Sequence, residues 1–134
     1  MSYFDDSVQE IKTRGEGQAR YVLGQDLKVL EAAPGVRIQP ILGHGINVNW
    51  VYMDAHAVAT VHQHVEEQIG TIVSGRVRFE LEGEIRILNP GDSYVIPSYA
   101  KHGATALDGP VVIIDSFTPV REGLLALFTD QTSQ

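Results

Sequence analysis

The feature of this sequence that most constrains its fold is a strict alternation of apolar and charged residues over positions 76–82. The apolar members of the alternation are Val77, Phe79 and Leu81. A period of two is typical of a β-strand that buries one face and exposes the other to solvent. Gly83 interrupts the pattern, and Ile85 and Ile87 then resume it, so a second strand follows the first.

Similar short segments recur along the chain from about residue 27. The further strand candidates are 36–42, 46–53, 58–64, 68–73, 92–96, 102–107 and 111–117. Turn-forming residues separate many of them, at Ser74-Gly75, Asn89-Pro90-Gly91 and Asp108-Gly109-Pro110. Many short, evenly spaced strands predict an all-β sandwich or barrel. The sequence contains no internal repeat, low-complexity segment or linker, so we expect a single domain.

The two ends of the chain depart from this strand pattern. Residues 1–20 are polar and glycine-containing, which predicts an N-terminal arm before a barrel domain of residues 21–134. Residues 120–128 carry apolar side chains at helical spacing, so we expect a short helix that closes the barrel or caps a dimer contact. Because the arm has no obvious place in a minimal barrel, we predict a homodimer contacting through the arm or an outer sheet face.

Composition and charge exclude several classes of function. The chain has 134 residues, 43% of them hydrophobic, which suits one domain with a sizeable core. Its formal charge of −7 argues against nucleic-acid and anionic-membrane partners, because both need a basic face. The absence of cysteine rules out disulfides and thiolate metal ligands. No membrane-spanning run or signal-peptide pattern occurs, so we expect a cytoplasmic protein.

A set of candidate metal ligands begins with His62 and His64. Two residues apart on a strand, both side chains point to the same face. Gln68 follows His64 by four residues, an even spacing that can place its side chain on the same face of a strand. His102 lies on a later predicted strand. Three nitrogens and one oxygen converging in a barrel would suit one divalent ion of Zn, Fe, Ni, Co or Mn. The sequence therefore predicts a metal site on these four residues.

A second group of distinctive residues lies near the C-terminus. The strand predicted over 111–117 places Asp115 on one face, together with Val111, Ile113 and Phe117. Burying an unpaired carboxylate is costly, so Asp115 should be paired, protonated or functional, unless it lies at a solvated rim. Arg121 could reach Asp115 or a bound ligand, or form an ordinary ion pair. Trp50 and Tyr52 share a strand face and could line the pocket, although core packing is the expected role.

Two segments around the histidines resemble the two sequence motifs of the cupin superfamily. Residues 62–75 resemble the first motif: His-X-His, then a Gln at the position of its usual Glu or Gln, then Gly75 at the hairpin. Residues 91–102 resemble the second through Gly91, Pro97 and His102. The resemblance covers roughly residues 28–118. It implies a single-domain cupin, a double-stranded β-helix or jelly-roll barrel.

The chain departs from the cupin pattern at two turns and at one ligand position. His56 and Tyr99 each stand where the motifs usually have glycine. Many cupins carry Glu where this chain carries Gln68, and a neutral amide leaves the metal a stronger Lewis acid and disfavours iron redox chemistry. Glu66 and Glu67 are rival ligands. Glu66 shares strand parity with His64, whereas Glu67 should face the other way.

The run from Asp115 to Arg121 resembles the tail of the KdgF-type uronate cupins. In that family three His and one Gln hold the metal, and an Asp, a Phe and an Arg near the C-terminus complete the active site. The resemblance implies metal binding by His62, His64, Gln68 and His102, and catalytic roles for Asp115, Phe117 and Arg121. It implies ketonisation and linearisation of 4,5-unsaturated monouronates, which are small anionic sugar acids.

Other functions remain open from the sequence. Iron cupins act as dioxygenases, and a polyketide cyclase is a further non-redox possibility within the fold. A non-catalytic sugar-binding cupin module is an alternative of a different class. The leading hypothesis is a metal-dependent isomerase or lyase-type enzyme for an enolisable anionic substrate.

Overall fold

The structure is a computed structural model that describes residues 17–121, and these residues form an almost entirely β structure. Within this span, a 3₁₀ turn at Gly24–Asp26 is the one helical element. Ten strands follow it: β1 (Leu30–Ala33), β2 (Val36–Leu42), β3 (Asn47–Met53), β4 (Val58–His62), β5 (Glu67–Ser74), β6 (Val77–Leu81), β7 (Glu84–Leu88), β8 (Ser93–Ile96), β9 (His102–Ala106) and β10 (Val111–Thr118). The predicted all-β fold is confirmed, and β1 alone has no predicted counterpart.

The strands form two antiparallel sheets that face each other as a jelly roll. The six-stranded sheet has the order β1-β2-β3-β10-β5-β8, and the four-stranded sheet has the order β4-β9-β6-β7. Strand β10 lies inside the larger sheet and pairs with β3 on one side and β5 on the other along nearly its whole length. A side chain on β10 is therefore held by two hydrogen-bonded ladders.

The core fills the space between the sheets with alternate residues of each strand. Its largest fully buried apolar side chains are Met53, Ile72, Ile96, Val77 and Val111. On β10 the inward face is the one that carries Asp115, which is 7% exposed. On β3 the inward residues include Asn47 and Asn49, whereas Trp50 and Tyr52 lie on the opposite, partly exposed face. The expectation that the two aromatic residues pack in the core is therefore wrong.

The hairpin between β6 and β7 keeps the predicted alternation, but the two isoleucines of β7 do not lie on its inner face. Leu81 pairs with Glu84 across a two-residue turn in which both residues have positive φ. This register places Glu84 and Arg86 beside the inward residues of β6. Ile85 and Ile87 consequently lie on the outer face and are 47% and 42% exposed.

Both turns that lack the glycine usual in cupin motifs keep a glycine-like backbone. His56 has φ of 67° and Tyr99 has φ of 65°, in the left-handed region that costs a residue with a Cβ about 1–2 kcal/mol. The Tyr99 amide donates a hydrogen bond of 2.8 Å to the carbonyl of His64. The turn at Tyr99 thus fixes the backbone beside a predicted metal ligand.

Most of the predicted N-terminal arm and C-terminal helix lies outside the described residues. The division into residues 1–20 and 21–134 therefore stays a prediction. Of the arm, residues 17–20 are described, and the Arg20 guanidinium donates a hydrogen bond to the carbonyl of Leu42 on β2. Between residues 17 and 121 there is no helix with the length and hydrophobicity needed to cross a bilayer.

Candidate metal centre and active site

A cavity of about 520 Å³ lies between the two sheets, within the size range of small-molecule sites. Part of its wall is apolar and includes Val36, Met53 and Ile113. The polar part of the wall includes His62, His102, Gln68, Asp115 and Arg121. An apolar pocket with a few convergent polar groups is the usual form of a ligand site.

The three histidines predicted as metal ligands come together beside this cavity. His62 ends β4 and His102 begins β9, and the two are paired in the register of the four-stranded sheet. His64 lies beyond the end of β4, in the loop that leads to β5, rather than on a strand extending to residue 64. Even so, one nitrogen of each of the three rings lies within 4.8 Å of the others.

Hydrogen bonds to the backbone fix the tautomer of all three imidazoles. In each ring Nδ1 faces a carbonyl oxygen and must therefore donate, which leaves the lone pair on Nε2. The distances are 2.6 Å from His62 to Thr60, 3.0 Å from His64 to Glu66 and 2.9 Å from His102 to Ala100. Nδ1–H donation of this kind is the usual support of a metal-binding histidine.

The other nitrogen of each ring, Nε2, is the one left to bind a metal. His102 Nε2 is buried and has no hydrogen-bond partner among the described residues. Burial is the main cause that lowers the pKa of His102 to about 4 and also lowers the pKa of His64, so both rings are neutral at pH 7. Neutral imidazoles with converging lone pairs are the donor set that a divalent cation requires.

Gln68 is better placed than Glu66 or Glu67 to act as a fourth ligand beside the histidines. Its side chain is buried on β5, and its Oε1 lies 3.0 Å from His64 Nε2. With the proton of His64 on Nδ1, these two atoms are both acceptors, and a cation between such atoms would stabilise them. Glu66 is also buried, but its carboxylate lies 3.4 Å from Nδ1, on the opposite side of the ring. Glu67 is exposed.

Asp115 lies on β10 with its carboxylate buried in the cavity wall. The Tyr94 hydroxyl donates a hydrogen bond of 2.6 Å to its Oδ1. Burial raises the pKa of Asp115 to about 6, although hydrogen bonds from Tyr94 and Gln68 lower it in part. The carboxyl group can therefore both hold and release a proton near neutral pH. The alternative of a solvated rim position for Asp115 is ruled out by its burial.

Phe117 and Arg121 bring an aromatic face and a cation to the same cavity. The Phe117 ring meets the His64 ring edge-on at 5.6 Å between centroids. The Arg121 guanidinium carbon lies 5.3 Å from the centre of the Phe117 ring, a cation–π geometry. The Arg121 backbone amide donates a 3.0 Å hydrogen bond to Asn47 Oδ1, which anchors the arginine to β3.

Three residues of the site were not identified from the sequence: Tyr94, Asn47 and Asn49. Asn47 Nδ2 donates to Asn49 Oδ1 at 3.1 Å, and both side chains are buried. Two asparagines spaced by two on an otherwise apolar strand were a usable signal, because buried amides must be hydrogen-bonded. Tyr94 gave no such signal, since its role depends on partners far away in sequence.

A family model described as the cupin domain matches residues 49–117, about half of the chain. The chain therefore belongs to the cupin family.

Its relatives include pectin degradation protein KdgF of Dickeya dadantii (strain 3937). The two are 36% identical over 76 residues, which cover 56% of this chain and 69% of that protein. The structure of KdgF from Halomonas sp. matches with a TM-score of 0.75 and 34% identity, over 81% of this chain and 100% of that chain. An RmlC-like cupin from Shewanella frigidimarina NCIMB 400 also matches with a TM-score of 0.75, at 25% identity, over 81% of this chain and 98% of that chain. The predicted resemblance to small KdgF-type cupins is confirmed.

Proposed function

We propose that this protein is a metal-dependent enzyme of pectin or alginate breakdown that ketonises and linearises a 4,5-unsaturated monouronate. The observation that carries the proposal is the convergence of Asp115 and Arg121 with the histidine cluster on one cavity. Similarity to a protein named for pectin degradation supports the substrate class. A cationic and proton-exchanging pocket inside an acidic protein suits a small sugar acid.

The proposed metal centre consists of His62, His64, His102 and Gln68. Its donors fit a divalent ion of Zn, Ni, Fe, Mn or Co, because three imidazoles and one amide oxygen suit all of these. When bound, such an ion supplies a Lewis acid that polarises a hydroxyl or carbonyl oxygen and stabilises an enolate. A neutral fourth ligand preserves that Lewis acidity, which favours non-redox chemistry.

The remaining residues bind the substrate and move its proton. Arg121 binds the uronate carboxylate through two parallel N–H···O bonds, the geometry that a guanidinium offers. Phe117 packs against the sugar ring and holds Arg121 above it. The carboxyl group of Asp115 exchanges a proton with the enolic substrate, since its pKa of about 6 allows both protonation states.

The test follows the loss of ultraviolet absorbance of an unsaturated monouronate under nitrogen. Metal-free protein and protein reloaded with each candidate ion are compared, with metal content measured in protein purified without added metal. Turnover without oxygen, dependent on the metal, supports the proposal. Inactivity on unsaturated uronates together with oxygen consumption on another substrate would instead assign the protein to the dioxygenases.

Replacement of Arg121 by alanine should mainly weaken substrate binding. Loss of a charged, hydrogen-bonded contact costs about 1.5–3 kcal/mol, so we expect KM to rise by about 10–150-fold with a smaller change in kcat. The matched control is Arg78→Ala, since Arg78 is exposed on β6 outside the cavity. An unchanged KM in Arg121→Ala would remove this arginine from the binding site.

We also propose that the protein is a homodimer, with the outer face of the six-stranded sheet as the contact. On this face Ile69 and Val95 are paired in register and are 49% and 54% exposed. Adjacent exposed apolar groups of this kind mark interaction surfaces. Light scattering at micromolar concentration should give twice the 14.7 kDa chain mass, and Ile69→Lys should reduce it. A single species at the chain mass for the wild type would contradict the dimer.

A further inference from the structure

Three neighbouring strands place Asp115, Gly70 and Tyr94 in one row across the six-stranded sheet. Asp115 on β10 pairs with Gly70 on β5, and Gly70 pairs with Tyr94 on β8. A Cβ at position 70 would overlap both the carboxylate and the phenol hydroxyl. The missing side chain is therefore what allows Tyr94 and Asp115 to form their hydrogen bond over the middle strand.

The Gln68 side chain lies beside this row, one inward position along β5 from Gly70. Gln68 pairs with Phe117 and Gly70 with Asp115, so Gln68 and Asp115 are diagonal neighbours on adjacent strands, within reach of a long side chain. Burial raises the pKa of both Tyr94 and Asp115, and the nearby Gln68 amide is among the causes that oppose this rise. The amide oxygen of Gln68 faces His64 and lies 3.0 Å from its Nε2. The NH₂ group of Gln68 therefore lies on the other side of the amide, toward this pair, where it can donate to the Asp115 carboxylate.

We propose that the Tyr94–Asp115 pair orients the Gln68 amide and makes glutamine, rather than glutamate, the fourth metal ligand of this chain. The proposal rests on the proposed metal centre and extends it. In this arrangement Tyr94 and Gly70 are positioning residues, and Asp115 is both a proton carrier and a support of a metal ligand. The ligand and the acid are thus one hydrogen-bonded unit.

The chemistry of the alternative ligand shows why the pair selects an amide. A glutamate at position 68 has no N–H to donate to Asp115, so two carboxylates would share the site. Two negative charges on neighbouring side chains repel each other, so one of the two carboxylates must take up a proton. Phe79 stacks on the Tyr94 ring at 4.1 Å, and this contact keeps the phenol from turning away to relieve the conflict.

The experiment is a double-mutant cycle on Zn²⁺ affinity, measured by competition with a chelator. The variants are Gln68→Glu, Asp115→Asn and the double variant. The amide introduced by Asp115→Asn can donate to a carboxylate at position 68. Gln68→Glu should therefore improve Zn²⁺ binding at least about tenfold more in the Asp115→Asn background than in the wild-type background. In metal-free protein at pH 8, Gln68→Glu should lower the melting temperature, and Asp115→Asn should restore it.

A matched control adds the same charge elsewhere. Gln63 is exposed between His62 and His64. The change in Zn²⁺ affinity caused by Gln63→Glu should agree within about twofold between the wild-type and the Asp115→Asn backgrounds. Tyr94→Phe keeps the ring stacked on Phe79 and removes the hydroxyl. It should weaken Zn²⁺ binding by about tenfold, the lower end of the range for residues that support a metal ligand.

The outcomes separate the inference from the metal centre on which it rests. A coupling near unity for Gln68→Glu and Asp115→Asn, with wild-type protein binding one Zn²⁺ ion, overturns the inference and leaves the centre intact. An unchanged Zn²⁺ affinity in Tyr94→Phe overturns the positioning role of the phenol. Wild-type protein that does not bind Zn²⁺ through its histidines overturns both the centre and the inference.

Discussion

Replacement of Asp115 by asparagine is expected to abolish most turnover of an unsaturated uronate in protein that is folded and saturated with metal. The amide has nearly the shape of the carboxyl group, and its oxygen can still accept the hydrogen bond from Tyr94. It cannot exchange a proton near neutral pH, however. General acid–base catalysis contributes about 10²–10⁴-fold, and we expect kcat to fall by an amount in this range. The measurement is the initial rate of absorbance loss at saturating substrate.

The control for this variant is Asp108→Asn, which removes a carboxylate from an exposed turn between β9 and β10. It should keep wild-type kcat. Metal analysis and thermal unfolding of Asp115→Asn distinguish a chemical defect from a structural one. Wild-type kcat in a folded, metal-loaded Asp115→Asn protein would show that this carboxyl group carries no proton in the rate-limiting step.

Replacement of His102 by alanine is expected to have the second large effect, the loss of the metal. Mutation of a residue that only supports a ligand typically costs about 10–100-fold in metal affinity, so removal of a ligand itself should exceed this range. We expect protein purified without added metal to carry less than about a tenth of the wild-type metal content. Elemental analysis by mass spectrometry measures this directly, and activity should fall in proportion.

His44→Ala serves as the control, because His44 is exposed and lies outside the cavity lining. Its metal content should equal that of the wild type. Since His102 is buried, the variant is also tested for folding by its circular dichroism spectrum. A folded His102→Ala protein with full metal content would place the metal elsewhere and end the proposed centre.

The fold was largely predictable because its signals are local. Alternation over 76–82 and turn residues at the strand ends depend on neighbours in sequence, and so does the pairing of His62 with His64. The rule that residues two apart on a strand share a face does not describe His64, because His64 reaches the cluster from a loop and not from the strand.

The features of the fold and site that could not be predicted depend on strand register, which brings together residues distant in sequence. Strand β3 carries apolar residues on both faces, so alternation gave no means to decide that Trp50 lies outside and Asn49 inside. Tyr94 sits on a strand of four residues, too short to show a pattern. Its importance follows from a gap at Gly70 and a carboxylate 21 positions away, and only the assembled sheet brings these together.

The two halves of the site stand on opposite sheets. His62 and His102 belong to the four-stranded sheet, whereas Gln68 and Asp115 belong to the six-stranded one. The separation between the histidine ligands and the proton carrier is therefore set by the thickness of the apolar layer between the sheets. Close-packed interiors transmit small changes of volume, so a substitution of one methylene group at Met53 could alter reactivity without touching the substrate. In this protein the hydrophobic core acts as the spacer of the active site, so its side-chain volumes matter for chemistry as well as for stability.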